Sequence, residues 1–366
     1  MHQNKGPVYY GDYLQLNKLL DAQHPYSKKY ASQENPEAHD ETLFIIVHQS
    51  YELWFKQILH DINAVLDIFS QPEVPDSSFG KITNYLNRIT KIQNTMLGYL
   101  EILETMTPMD FLEFRNLLIP ASGFQSTQFR EIEIKLGLKT SDRESVDREF
   151  FLGRLSQTDR DRLVSLENQP SLLNQVSKWL ERTPYTQLAS FNFWQEYQIS
   201  IKKLLDEDLK IIENNSAGLT DDHKKMQIEN LKITEQTFQS LFDETLHQKL
   251  IAEGKRKLSQ KAILNALFIL LYREEPMLAL PHRFISLLMD IDQNFTTWRY
   301  RHALLAHRML GSKIGTGGSS GHQYLKKAAD NNKAFVDLFN LSTYILPKSL
   351  IPKLPNEIKQ KLNFHV

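Results

Sequence analysis

Residues 39–69 read HDETLFIIVHQSYELWFKQILHDINAVLDIF. Leu43, Val47, Tyr51, Trp54, Ile58, Ile62, Val65 and Phe69 recur at intervals of three and four, so a single long helix carries a continuous apolar stripe. Such a helix is about 45 Å long, enough to cross a domain. Asp40 is the expected N-cap, because its carboxylate can accept from the free N–H groups of the first turn. A second apolar face runs through Phe44, His48, Tyr51, Phe55 and Leu59. His48 stands one turn from Phe44, a polar ring within an aromatic wall. Taken alone, it reads as a core histidine bridging two helices.

The helical period continues on both sides of this stretch. Residues 13–20 form a short helix ending before Pro25, and residues 82–103 form a long one after the loop SQPEVPDSSFG at 70–80. Residues 107–119 are a separate short helix. Thr107 is its N-cap, Pro108 its first position, Asp110 lies three residues after the cap, and Pro120 follows its end. Residues 137–149 are charged and turn-rich. The polar helices of 150–250 break at NNSAGLTDD (214–222), and the segment 140–250 is expected to be a peripheral helical subdomain within one domain spanning 1–366. Apolar helix resumes after Ser259, followed by a glycine- and serine-rich loop at 311–321, a helix to about residue 346, and a proline-punctuated tail. No strand-like alternation of useful length and no internal repeat interrupts this pattern. The fold class is all-α.

The 366 residues suffice for a large core, with ordinary hydrophobic and charged fractions of 41% and 24%. A net charge of −1 provides no field for a polyanion, so nucleic acid is not an expected partner. The absence of cysteine removes disulfides, thiolate metal sites, cysteine nucleophiles and thiolate-ligated haem. The first residues, MHQNKGPVYYGDYL, lack an apolar core of signal-peptide length, and the longest apolar run (262–272) is too short to span a bilayer. A cytoplasmic protein without membrane association is expected.

Three stretches could carry chemistry. In TPMDFLEFRNLLIP (107–120), Phe111 and Arg115 are four apart and share a face. An arginine fork beside a flat ring suits a carboxylate, although a surface pair with Asp110 is the simpler use of that arginine. The turn that follows, Pro120 to Ser126, includes Ser122 and Gly123, where backbone can approach a ligand closely. In the second stretch, Trp298 and His302 are four apart on one face, whereas His302 and His307 diverge and make a poor metal pair. A haem iron in this chain would need His, Met or Tyr as axial ligand, and a helical histidine flanked by Ala303, Leu304 and Ala306 suits that role. A buried structural histidine is the plainer reading. The third stretch, 311–321, holds five of the fourteen glycines but lacks the order of a phosphate loop or a dinucleotide fingerprint. Its GxSxG letters lack a strand-to-helix elbow. It is either a loop of backbone donors that could close over a small polar ligand, or a linker. A di-iron site would need two Glu-x-x-His motifs, and only Glu244 to His247 is evident.

The blocks YGDYLQL (10–16), HDETLFIIVHQSYELWFKQIL (39–59), MDFLEFRNLLIPASGFQSTQFR (109–130), RYRHALLAHRMLGSKIGTGGSSGHQYL (299–325) and FVDLFNLSTYILP (335–347) strongly resemble the tryptophan 2,3-dioxygenase family, in the same order. The resemblance covers both ends and the core and is weak through roughly 140–250. It implies a helical bundle around a haem b pocket, in an enzyme that inserts O2 across the indole C2=C3 bond of L-tryptophan to give N-formyl-L-kynurenine. By similarity His302 is the proximal iron ligand, with Trp298 beside it on the cofactor side. His48 accepts a hydrogen bond from the indole N–H, and Arg115 pairs with the substrate carboxylate. Thr316 contacts the substrate ammonium and carboxylate. Phe44 and Phe111 wall the indole, and Ser122 and Gly123 lie beside the haem and O2. Tyr10, Tyr13 and Leu14 match residues that reach a neighbouring subunit's pocket, which implies a homotetramer. An oxygenase for a modified indole on the same scaffold is an alternative, since a methyl group changes only pocket volume. A haem-free helical binding protein is another, and it leaves His48, Arg115 and Thr316 without a role.

Overall fold

The computed structural model describes residues 6–138, 152–184, 186–188, 191–214, 220–311, 313 and 321–363. Near the N-terminus lie three short helices: α1 (Tyr10–Leu14), α2 (Leu16–Leu19) and α3 (Tyr26–Lys29). Then come the long α4 (Asp40–Phe69) and α5 (Phe79–Leu103), followed by the shorter α6 (Pro108–Arg115) and α7 (Thr127–Leu136). The middle of the chain forms α8 (Gln157–Glu167), α9 (Leu172–Leu180), α10 (Phe193–Asn214), α11 (Asp221–Ser240) and α12 (Glu244–Ala252). The last part forms α13 (Gln260–Leu271), α14 (Pro276–Leu310), α15 (Gly321–Asn331), α16 (Val336–Asn340) and α17 (Asn356–Leu362). The fold is all-α, as the periodicity implies. Among the described residues the sole strand pairing is a hairpin of two residues a side, Gln187–Leu188 against Phe191–Asn192, too short to leave an alternating pattern.

α14 packs along α5, α5 along α4, and α7 lies across α4. The stripe on α4 does what its spacing requires: Val47, Tyr51, Ile58, Ile62, Val65 and Phe69 are buried, and Leu43 and Trp54 pack at the margin. They share one large core with Ile82, Leu86 and Ile89 of α5 and Phe284, Leu288 and Ile291 of α14. Leu172 and Val176 of α9 and Phe193 and Tyr197 of α10 also enter it, whereas α11 is largely exposed. α7 ends at Gly137, whose φ of +120° favours glycine and where a Cβ would lie 2.5 Å from Leu173 Cβ, so α9 packs directly on that turn. A smaller cluster joins Ala38, Met106 and Phe114 with Phe44, Phe111, Leu118 and Met309. That second cluster brings α4, α6 and the end of α14 together.

Several local expectations meet a different physical solution. Asp40 is the first helical residue of α4 rather than its cap, and His39, at φ −54° and ψ −44°, supplies no side-chain cap. The carboxylate that works here is the next one. Glu41 is buried and accepts from the backbone N–H of Tyr26 and of Ser27, both at 2.8 Å, so it caps α3 instead of its own helix. The helix expected over 13–20 is two helices, divided at Gln15, whose φ of 52° is left-handed. The capping box at Thr107 and Asp110 forms as expected, but α6 stops at Arg115 and a 3-10 turn, Asn116–Leu118, completes the segment. Among the described residues no helix is long and apolar enough to cross a membrane.

The fully buried Ile62 stands at the centre of this packing. Ile62→Ala should lower unfolding free energy by about 2–5 kcal/mol, the cost of deleting buried methylenes and leaving a cavity. Lys56→Ala, on the exposed side of the same helix, should change it by no more than about 0.5 kcal/mol. Urea denaturation of the two variants measures the contrast, and equal losses would mean that α4 does not face the core as described.

Candidate active site

The site begins with the fixed entry of α6. Thr107 Oγ1 accepts from the Asp110 backbone N–H, and the Asp110 carboxylate accepts from the Thr107 N–H at 2.9 Å and from its hydroxyl at 2.5 Å. These hydrogen bonds hold the Asp110 carboxyl below its ordinary pKa. That capped helix presents Phe111, Phe114 and Arg115 at positions i, i+3 and i+4, and it packs on α3, α4 and α14. Phe44 of α4 meets Phe111 at 5.8 Å and Phe114 at 5.5 Å between ring centroids, and Phe111 and Phe114 stand edge to face. Phe114 is fully buried, while Phe44 and Phe111 keep part of their faces open. The spacing that singled out Phe111 also marked Phe114, which the sequence reading passed over.

His48 sits on the same wall, its ring 4.1 Å from that of Phe44. Its Nδ1 is 2.7 Å from the Phe44 carbonyl oxygen. A carbonyl only accepts, so Nδ1 carries the proton and Nε2 is left with a lone pair. Burial pushes the His48 pKa down, against a smaller opposing pull from the Phe44 carbonyl and from Glu52 one turn on. The ring is nonetheless open to solvent. A group both accessible and desolvated lines a hollow inside the protein rather than the outer surface. Among the residues that sequence reasoning missed, Glu52 is the one whose charge acts on His48.

The facing side comes from α14. Trp298 and His302 are one turn apart, with ring centroids 5.2 Å apart and planes tilted by 32°. Tyr51 and Phe129 brace Trp298 at 5.8 and 5.3 Å. Tyr51 donates to the Met96 carbonyl at 2.8 Å, and burial raises its phenol to about 12. The Trp298 Nε1–H is buried and has no hydrogen bond of normal geometry, although it lies near enough to the Tyr51 hydroxyl to act on its acidity. Burial pushes the His302 pKa down to about 4, and the proximity of His48 adds to the shift because two imidazolium charges would repel. His302 is therefore a neutral imidazole at physiological pH, the form in which histidine binds a metal. The contact of Tyr51 with Trp298 brings the histidine-bearing stretches of α4 and α14 together. A neutral imidazole on one side, flat aromatic walls and an unsatisfied indole N–H make a donor set that suits a haem.

The other candidates divide. Arg115 is half-buried one turn from Phe111, and the Asp110 carboxylate is engaged by Thr107. Ser122 is half-buried and spends its hydroxyl locally, accepting from the Phe124 N–H at 3.4 Å to open the 3-10 turn Gly123–Gln125. Gly123 is exposed, with nothing within 4 Å of the place a Cβ would occupy, so its backbone is approachable. Tyr10 and Tyr13 are each 75% exposed and Leu14 40%, on α1, which buries no residue. In a single chain they stand on the surface and outside the hollow. Thr316 lies outside the described residues. Among the described residues no cluster of three His, Cys, Asp or Glu could hold a metal ion, and the buried His247 ring is used by the Leu258 carbonyl at 3.0 Å.

The sequence profile of the family described as tryptophan 2,3-dioxygenase matches residues 1–345, including the stretch between 140 and 250. A protein of Alteromonas mediterranea named tryptophan 2,3-dioxygenase is 49% identical over 366 residues, covering the whole of both chains. One of the same name from Bdellovibrio bacteriovorus is 50% identical over 98% of this chain and 99% of its own. Another, from Dictyostelium discoideum, is 43% identical over 98% of this chain and 88% of its own. On a profile that spans nearly all of its length, and on relatives aligned end to end, the chain belongs to the tryptophan 2,3-dioxygenase family, whose members are oxidoreductases.

Proposed function

We propose that the chain is a haem-dependent enzyme that adds both atoms of O2 across the indole C2=C3 bond of L-tryptophan and releases N-formyl-L-kynurenine. What supports this reading is geometric: His48 stands against the Phe44–Phe111 wall, His302 lies beside Trp298, and Tyr51 of α4 meets that same Trp298. When bound, haem b supplies the iron that activates O2 for addition to the ring. His302 would hold that iron, and Trp298, tilted against it at 5.2 Å, would fix the plane of the imidazole.

The remaining work falls to binding and orientation, because the indole is itself electron-rich. With its Nδ1 proton committed to the Phe44 carbonyl, His48 offers Nε2 as an acceptor for the indole N–H. An imidazole of depressed basicity cannot remove so weakly acidic a proton, so His48 orients the ring without deprotonating it. Phe44 and Phe111 wall the indole. Arg115 takes the substrate carboxylate through its planar fork, and Thr316 contacts the carboxylate and ammonium. Ser122 and Gly123 border the haem and O2, where the open space at Gly123 suits a close approach of backbone.

The exposed Tyr10, Tyr13 and Leu14 would cover a neighbour's hollow in a homotetramer, excluding water from the reaction. The chain would act as one domain in the cytoplasm, with part of 140–250 forming a peripheral helical subdomain; the exposure of α11 supports that division.

Haem-loaded, reduced protein given L-tryptophan and O2 should form N-formyl-L-kynurenine, followed by absorbance and mass, and His302→Ala should abolish the spectrum of stably ligated haem. A normal haem spectrum without product would move the substrate to another indole, and an unchanged spectrum in His302→Ala would point to another ligand. Arg115→Lys should lower kcat/KM by about 1–3 kcal/mol, the scale of a lost charged hydrogen bond; wild-type kinetics would remove Arg115 from the site. His48→Ala should slow L-tryptophan turnover, and that effect should vanish with 1-methyl-L-tryptophan, which has no N–H. If turnover of the methylated substrate were abolished as well, His48 would be doing more than orienting.

A further inference from the structure

Behind Trp298 and His302 lies a buried charge cluster that the reaction does not use. Arg299 of α14 is 4% exposed, and Glu133 of α7 is 2% exposed. Arg299 Nη2 donates to Glu133 Oε1 at 2.7 Å, and Arg299 Nη1 donates to the Asn332 carbonyl at 2.9 Å. The other Glu133 oxygen accepts from the buried Arg130 at 2.6 Å. The Arg299 guanidinium lies 5.7 Å from the Phe129 ring centroid and 5.8 Å from that of Phe295, and these two rings meet each other at 5.9 Å, so both flank it on one side. Asp292, two turns before Arg299 on α14, accepts from the backbone N–H groups of Ala334 and Phe335 at 3.0 and 2.6 Å. The turn at 332–335 is thus tied to α14 at two points.

Burying such ions gives little net stability, because desolvation offsets most of their attraction, and apolar residues of similar volume commonly serve as well. What the cluster provides is register. Arg299 has directional bonds at both ends of its fork and two rings against one side, which together favour a single rotamer. A slide of α14 by a single residue, about 1.5 Å along its axis, would break bonds at both ends. The constraint reaches His302 through contact. Phe129, one turn from Glu133 on α7, meets both Arg299 at 5.7 Å and Trp298 at 5.3 Å, and the Trp298 ring lies 5.2 Å from that of His302.

We propose that Arg299, locked by Glu133, is a positioning residue that fixes Trp298 and through it the orientation of the His302 imidazole toward the iron. The inference rests on the reading of His302 as the iron ligand. It makes Arg299 part of the site although no atom of it meets substrate or cofactor.

The test compares haem-loaded wild type with Arg299→Lys and Glu133→Gln, using Arg256→Lys as control. Arg256 forms an ion pair with the buried Asp337 at 3.5 Å and donates to the Tyr344 hydroxyl, partners outside the Glu133–Arg299 cluster. Circular dichroism reports folding, the iron–imidazole stretching band of the reduced protein reports ligand orientation, and transfer of haem to apomyoglobin reports its retention. Arg299→Lys keeps the charge but loses the fork, so it should shift the band and speed haem transfer roughly tenfold, the low end for partners that orient a metal ligand. Glu133→Gln should shift both in the same sense by less, and Arg256→Lys should leave both unchanged. Wild-type band and transfer rate in a folded Arg299→Lys would overturn the proposal, as would an equal shift in Arg256→Lys. Should Arg299→Lys fail to fold, the isosteric Glu133→Gln decides the matter by the same two readouts. Failure of the underlying reading is distinguishable, because wild type would then take up no haem, or His302→Ala would keep the wild-type band.

Discussion

Desolvation of two imidazoles is the constraint on which the rest of the structure depends. A charged imidazolium is costly away from water, so burial holds His48 and His302 neutral. Neutrality then decides what each can do: one ring can offer a lone pair to a metal, and the other can accept at the nitrogen left free by the Phe44 carbonyl. Two helices as long as α4 and α14, each packed along α5, are needed to carry these rings to one hollow and keep them there. The hydrogen bond that sets the His48 tautomer is supplied within α4 itself, from one turn to the next. The geometry of that nitrogen is therefore as rigid as the helix.

Around this pair the protein is built from rings. Phe44, Phe111 and Phe114 form one group, and Tyr51, Phe129, Trp298 and Phe295 form the other. Aromatic side chains bury large area with few rotatable bonds and lock one another edge to face. They therefore define a flat hollow whose ring walls carry no charge of their own. A separate set of buried charges lies at Glu133, Arg299 and Arg130. The separation suits a reaction in which a flat, electron-rich ring must be held still while fixed charges govern the framework and not the reacting atoms.

The parts of this arrangement legible in the sequence are those with a local cause. The α4 stripe follows from its period, and the capping box at Thr107 and Asp110 follows from a four-residue pattern. Phe111 and Arg115, Trp298 and His302, and Phe44 and His48 are each pairs at helical spacing, so each could be paired before any tertiary contact was known. What could not be read depends on distant partners. Glu41 looks like an ordinary acid in a first turn, and only the approach of Tyr26 and Ser27 makes it a cap. The bond between Glu133 and Arg299 spans 166 positions, and neither residue has a neighbour in sequence that announces it. Gln15 takes a left-handed conformation that its side chain does not favour, so composition could not mark the break between α1 and α2. The contact of Tyr51 with Trp298, which brings the two histidine-bearing helices together, is likewise a product of packing; in the sequence the pairing of His48 with His302 rested on family resemblance alone.

The cap that Glu41 provides for α3 has a consequence for recombination between relatives. Two helices share one set of terminal hydrogen bonds, so α3 and the first turn of α4 are inherited as a unit although a loop lies between them. A chimera that crosses over within residues 30–40 would pair an α3 from one parent with the carboxylate of the other. Crossovers placed beyond Glu41 would keep donor and acceptor from the same ancestor, which makes that residue a natural border for shuffling the N-terminal arm.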